Sequence, residues 1–93
     1  MDLAKVQELV FEVVAGLVAD WDLDAEIGPT TRLVANLEFE SIDIIQMVVA
    51  FEERLQKRNL GFEKLLMVDG RYVDDLSLGQ IAAFLHQRLA VAA

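Results

Sequence analysis

The sequence predicts an all-α fold, a small four-helix bundle of three long helices and one short helix, in a single domain over residues 1–93. Three observations predict it. Three stretches carry apolar residues at helical spacing. No stretch shows the period-two alternation of a half-buried strand. The 93 residues suffice for one modest core and not for two. Packing helices against one another is the natural way to bury such stripes.

The first helix spans residues 2–19. Leu3, Val6, Val10, Val13 and Leu17 form its stripe, widened by Val14 and Val18. Asp2 is suited to cap its N-terminus, and Gly16 weakens its last turn. From Asp20 to Glu40 the periodicity vanishes. Asp20, Asp22 and Asp24 surround Trp21, and Gly28-Pro29-Thr30-Thr31 is turn chemistry. A loop of this length in a small domain is often functional. Thr31, Leu33 and Leu37 are expected to fold it back on the helices, with Trp21 as a hydrophobic lid over the end of the first helix.

The second helix is expected from Ser41 to Arg58, with Ile44, Val48, Phe51 and Leu55 as its core stripe and Met47 at the edge. Asn59 and Gly61 supply a stop. Phe62 to Met67 reads as one or two helical turns packing over the end of the second helix, and Asp69-Gly70 as a turn. Arg71 to Leu76 is ambiguous. Ser77 followed by Gln80 forms a capping box before the last helix, whose apolar face is Leu78, Ile81, Phe84, Leu85 and Leu89. His86 is expected to face solvent.

Composition narrows the function classes. Hydrophobic residues make up 55% of the chain, which excludes a disordered tail. A net charge of −8 repels a phosphate backbone and argues against nucleic-acid binding. The absence of cysteine removes disulfides, thiolate metal sites and a thiol nucleophile, and one histidine cannot build a metal cluster. The longest uncharged apolar run, Val13 to Ala19, is too short to insert across a membrane. The N-terminus lacks the basic flank of a secretion signal, which makes the cytoplasm the expected location. The clustered carboxylates come with no nucleophile–base pair, so the chain is not expected to be an enzyme.

The placement of charge says more than its total. From Asp20 to Glu53 there are nine acidic residues and one basic residue, Arg32, a net −8. At roughly 100° per residue, Ile42 and Val49 fall on the helix face opposite Phe51. Gln46 and Glu53 share that face, with Asp43 and Ala50 beside it. A charge run is ordinarily a solvated face. Two outward apolar residues on an acidic stripe suit a docking face instead.

Leu37-Glu38-Phe39-Glu40-Ser41-Ile42-Asp43, at the start of this helix, resembles the Leu-Gly-x-Asp-Ser-Leu-Asp signature of the acyl carrier protein family. The likeness continues through Ile45, Val48, Ala50, Phe51, Glu52, Glu53 and Leu55, and includes Leu33, Ile81 and Leu85. The order of long helix, long loop, signature serine and acidic helix extends it over essentially the whole chain. Three positions depart from the pattern: Glu40 for Asp, Ile42 for Leu, and Glu38 where Gly is typical. Gly at that position permits an unusual backbone angle. The link from Gln56 to Leu76 is also longer than the family's.

The resemblance implies an acyl-carrier-like bundle in which Ser41 bears 4′-phosphopantetheine derived from coenzyme A, and acyl groups ride as thioesters on the arm's thiol. It implies partner contacts through Glu40, Ile42, Asp43, Gln46, Val49, Glu52 and Glu53. The implied partners are a phosphopantetheinyl transferase and the acyl-loading, ketosynthase or acyltransferase-type enzymes of fatty acid or polyketide biosynthesis, served by a monomeric carrier. The acidic residue before Ser41 favours an acyl over a peptidyl carrier. Two alternatives stand beside this reading. Ser41 by itself suits an ordinary helix N-cap, and the acidic second helix suits an unmodified adaptor that docks proteins by the same face.

Overall fold

The first helix, α1 (Leu3–Val18), starts where the sequence places it. The Asp2 carboxylate accepts the Lys5 backbone N–H at 2.9 Å, satisfying one of the donors left open by the first turn. Val6, Val10, Val13 and Val14 are buried, whereas Leu3, assigned to the stripe, is exposed at the end of the helix. The chain is described here by a computed structural model covering residues 2–19, 21, 26–58 and 60–91. Asp20, Asp22, Asp24 and Asn59 therefore lie outside the described residues.

The loop before the second helix is built from side-chain and backbone hydrogen bonds. Buried Thr31 donates from Oγ1 to the Glu26 carbonyl at 2.7 Å and accepts the Gly28 N–H at 2.9 Å. Leu33, Leu37 and Phe39 are buried, as the apolar content of the loop predicts for the first two. The loop is zipped to the segment that opens the last helix. Leu33 N–H donates to the Leu76 carbonyl, Leu78 N–H to Thr31 and Gly79 N–H to Pro29, at 2.8–2.9 Å. Gly79 permits this approach: a Cβ there would meet the Pro29 carbonyl oxygen at 2.9 Å. Asp75 completes the zipper, its carboxylate accepting the N–H groups of Val34, Ala35 and Leu76 at 2.8–3.0 Å.

Helix α2 runs from Ser41 to Leu55, three residues short of the expected end at Arg58. Gln56 takes the left-handed conformation (φ 54°). Its N–H bonds to the Glu53 carbonyl while Lys57 N–H reaches Glu52, the paired bonds of a Schellman stop made with glutamine where glycine is usual. Met47, expected at the edge of the stripe, is fully buried with Phe51, while Ile44, Val48 and Leu55 are half-buried. The core arc of α2 is thus rotated toward Met47, because the Val48 side faces a groove.

A five-residue helix, α3 (Phe62–Leu66), follows. Its ring partners fix it: Phe62 stacks on Phe51 with centroids 5.9 Å apart and tilts against Phe84 at 5.5 Å. Arg88 donates from Nε to the Leu60 carbonyl at 2.8 Å and packs against Gly61, whose positive φ (79°) caps α3. The expected packing over α2 is present. The chain then makes a hairpin of two-residue strands, β1 (Met67–Val68) and β2 (Arg71–Tyr72), antiparallel and in register Met67 to Tyr72. This corrects the strand-free expectation; strands this short cannot show an alternating pattern. The turn falls at Asp69-Gly70 as predicted, both residues with positive φ.

The last helix, α4 (Leu78–Val91), opens with the expected capping box: Ser77 N–H to Gln80 Oε1 at 2.8 Å, and Gln80 N–H to Ser77 Oγ at 3.2 Å. Leu78, Ile81, Ala82 and Leu85 are buried, and His86 is half-buried instead of solvent-facing. Helix α1 packs along α4 and less extensively along α2. The architecture is a mostly helical small bundle with one minimal hairpin. No described helix is long and apolar enough to cross a membrane.

Two predictions follow from local geometry. Burial would raise the Asp75 pKa, but the three backbone donors, aided by the Arg32 charge, hold it below the ordinary carboxylate value. A depressed folded-state pKa contributes stability that is present above the unfolded value near 4 and lost as pH falls through the folded value. Asp75→Ala should therefore cost about 1–2 kcal/mol in urea unfolding at pH 7, with the gap to wild type closing below about pH 4. A gap independent of pH would contradict the zipper. Glu38 has φ 57°, a conformation that costs an L-residue about 1–2 kcal/mol. Glycine relieves this at an entropic cost of about 0.5–1 kcal/mol. Glu38→Gly is thus expected to raise the melting temperature slightly and Glu38→Val to lower it.

Candidate functional site

Ser41 is the first residue of α2 and is exposed. Glu40, not Ser41, occupies the N-cap position. The Asp43 carboxylate accepts the Glu40 N–H at 2.8 Å, and the Glu40 carbonyl accepts the N–H groups of Asp43 and Ile44. The capping role that would have explained the serine is filled by its neighbours, which leaves the hydroxyl outside the cap. The local chain path follows from the preceding residues. Phe39 is buried with its N–H on the Leu33 carbonyl at 2.9 Å, and Glu38 turns the chain through its left-handed angle.

Ser41 stands at the edge of a cavity of about 550 Å³ bounded by α2, the Leu33–Phe39 loop, Leu66 and the Val73–Leu76 segment. Leu33, Phe39, Ile44, Ile45, Val73 and Leu76 give it a mainly apolar wall. A second cavity of about 240 Å³ continues along α2 toward α3, between Val48, Val49, Phe62 and Met67. Carboxylates mark the edges: Glu40, Asp74 and Asp75 in the first cavity, Glu63 in the second. No Lys or Arg among the described residues lines either one.

This cavity is not the interior on which the helical stripes converge. Those stripes point into a common interior of α1, α2 and α4, which would have to open to admit a ligand. That interior is filled by fully buried Val10, Val14, Met47, Phe51, Ile81 and Leu85. The open apolar space lies on the other flank of α2, where a five-residue helix and a hairpin are too short to cover it.

Trp21 lies against Phe39, ring centroids 5.3 Å apart, while its backbone N–H donates to the Val18 carbonyl. It is the lid anticipated at the end of α1, and through Phe39 it also backs the wall of the cavity beside Ser41.

Of the expected docking residues, Ile42, Gln46, Val49 and Glu53 share the outward face of α2, with Asp43 and Glu52 on its opposite flanks. Ile42 is 60% exposed and Val49 45% exposed, and Glu40, Gln46 and Glu53 are exposed as well. Asp43 and Glu52 are half-buried, and the Asp43 carboxylate is engaged in the cap. A substitution at Asp43 therefore disturbs the helix start as well as the surface. Ile45, 62% exposed, joins the face and had been counted only among the apolar positions of the helix. At roughly 100° per residue it lies about 60° from Ile42, on the Ser41 side, so helical geometry alone could have found it. Met67, also exposed, is contributed by the hairpin, which the sequence did not reveal. No protein-family model, curated protein or solved structure matches the chain, so its functional reading rests on Ser41, the adjoining groove and the outward face of α2.

Proposed function

We propose that this chain is an acyl carrier protein: a non-catalytic domain that holds acyl intermediates as thioesters on a 4′-phosphopantetheine arm attached to Ser41 and presents them to biosynthetic enzymes. The observation that carries the reading is the exposed Ser41, free of any capping role, beside an apolar groove. The attachment chemistry fits the position. A phosphodiester on Ser41 would lie at the start of a fifteen-residue helix, where first-turn N–H groups and the helix dipole favour negative charge. When bound, the arm supplies the thiol that a cysteine-free chain lacks.

The residues of the chain have separate tasks in this reading. Ser41 would supply the hydroxyl oxygen that forms the phosphodiester as the pyrophosphate bond of coenzyme A breaks, with adenosine 3′,5′-bisphosphate as leaving group and the hydroxyl proton passing to the transferase. Asp43 holds the helix start, so that Ser41 is presented on a fixed turn. Ile42, Ile45 and Val49 give a partner enzyme apolar contact, and Glu40, Gln46 and Glu53 surround it with polar and acidic groups. Partners of such a face should present Lys or Arg, and long-range attraction should speed their encounter.

Incubation with coenzyme A and a broad-specificity phosphopantetheinyl transferase should add one phosphopantetheine mass to the chain and none to Ser41→Ala. Modification of the wild type elsewhere would overturn the site. Absence of any modification would favour the unmodified adaptor. The docking face is tested by charge reversal away from the cap. Glu53→Lys should slow the transferase reaction by about three- to tenfold at low salt. Glu8→Lys, on exposed α1 surface, should leave the rate unchanged. The difference should narrow as salt shortens the Debye length to a few ångströms. Equal effects at the two sites would mean that net charge, not this face, governs the encounter.

A further inference from the structure

The charge of the chain is divided between two regions. From Asp20 to Glu53 the net charge is −8, whereas from Arg54 to Arg71 five basic residues stand against two acidic ones, a net +3. Among the described residues Arg54 has a carboxylate partner, Glu12 at 2.8 Å, while Lys57, Arg58, Lys64 and Arg71 have none. Lys57 and Arg58 stand just past the stop of α2, the first half-buried and the second exposed. They are not needed to cap the helix. The Glu52 and Glu53 carbonyls already accept the N–H groups of Lys57 and Gln56.

This pair adjoins the outward strip of α2. Val49, Glu52, Glu53, Gln56, Lys57 and Arg58 line one open concavity of about 490 Å³, so the strip formed by Ile42, Ile45 and Val49 ends beside two cations. Glu52 and Glu53 give the concavity carboxylates as well, which makes a free anion a poor occupant and a protein surface of mixed charge a good one. At the other end of the strip stands exposed Glu40. Glu40 and Gln56, the two caps of the helix, are about 24 Å apart at 1.5 Å per residue. That separation is several Debye lengths at physiological ionic strength. A partner therefore meets two separate poles along α2, not one net charge.

We propose that Lys57 and Arg58 form a second docking contact, which receives Asp or Glu side chains of a partner protein and fixes the direction in which that partner lies along α2. The occupant is a surface segment with Lys or Arg toward the Glu40 end, apolar side chains over Ile42, Ile45 and Val49, and carboxylates toward Lys57 and Arg58. The inference deepens the docking reading of the outward face and rests on it. A second copy of the chain, laid antiparallel, offers the same order of charge, but two chains of net charge −8 repel each other.

The test uses a peptide in place of the partner: a blocked chain of lysines, then helically spaced leucines, then glutamates, bearing a nitroxide at one end or the other. It is titrated at low salt into the isotope-labelled full chain, and the loss of backbone amide NMR signals is read. The label at the glutamate end should remove the signals of Gln56, Lys57 and Arg58, and the label at the lysine end those of Ser41 and Ile42. Lys57→Glu with Arg58→Glu should abolish this end preference. Lys5→Glu with Arg71→Glu, equal in net charge and on exposed residues elsewhere, should keep it. The wild-type comparison is decisive by itself should the first double variant fold poorly. Signal loss alike at both ends of α2 with either label, an end preference that survives Lys57→Glu with Arg58→Glu, or no signal loss at all overturns the inference. A doubled mass on sedimentation of the chain alone would assign the face to a second copy and overturn it as well. Oriented binding in a chain that no transferase modifies at Ser41 would overturn the carrier reading and leave the second contact standing.

Discussion

The Asp75 carboxylate accepts hydrogen bonds from Val34, Ala35 and Leu76, drawing the loop between the first two helices onto the start of the last one. Much of the proposed site depends on that seam. It sets the path of Leu33 through Phe39, buries the apolar side chains at 33, 37 and 39, and so delivers Glu40 and Ser41 to the start of α2. The same segment forms one wall of the groove beside Ser41. A loop with no repeating structure thus becomes a fixed support, because its backbone donors find partners that solvent would otherwise provide.

The opposite wall has a different physical basis. Helix α3 is too short to hold itself in place by helical hydrogen bonding. It is held by the run of rings from Phe51 through Phe62 to Phe84 and by the Arg88 bond to the Leu60 carbonyl. Aromatic contacts of this kind add to ordinary burial and prefer particular geometries. The element is therefore well anchored at Phe62 and leaves uncovered apolar space further along. That space is the groove. A longer α3 lying flat against α2 would have filled it.

At the helix start, the cap is made by the neighbours of Ser41. Glu40 and Asp43 satisfy the backbone, which leaves Ser41 on the surface with its hydroxyl uncommitted to the cap. The outward Ile42, Ile45 and Val49 would be poor choices for a face meant only for water. Set among Glu40, Gln46 and Glu53, they form an exposed apolar strip bordered by polar and acidic groups, as the proposed docking role requires.

Features that depend on neighbours in the chain were legible in the sequence. The Asp2 cap, the Ser77–Gln80 box, the Asp69-Gly70 turn and the valine stripe of α1 are each decided within one or two helical turns. The outward placement of Ile42 and Val49 follows from helical spacing alone. The positive φ at Glu38 was foreshadowed by the glycine that usually stands at that place in the motif it resembles. What the tertiary structure decided are matters of distant partners. Met47 became core, not edge: it joins the buried cluster that holds the valines of α1, while Val48 lines the groove. The early stop at Gln56 used a residue with no special preference for the left-handed angle, so no local signal marked it. The Asp75 seam spans about forty residues, and the cavity lining that joins Ile44 and Ile45 to Leu66 about twenty. Local propensity cannot specify such meetings; they arise when packing brings separate segments together and each buried polar group must find a partner.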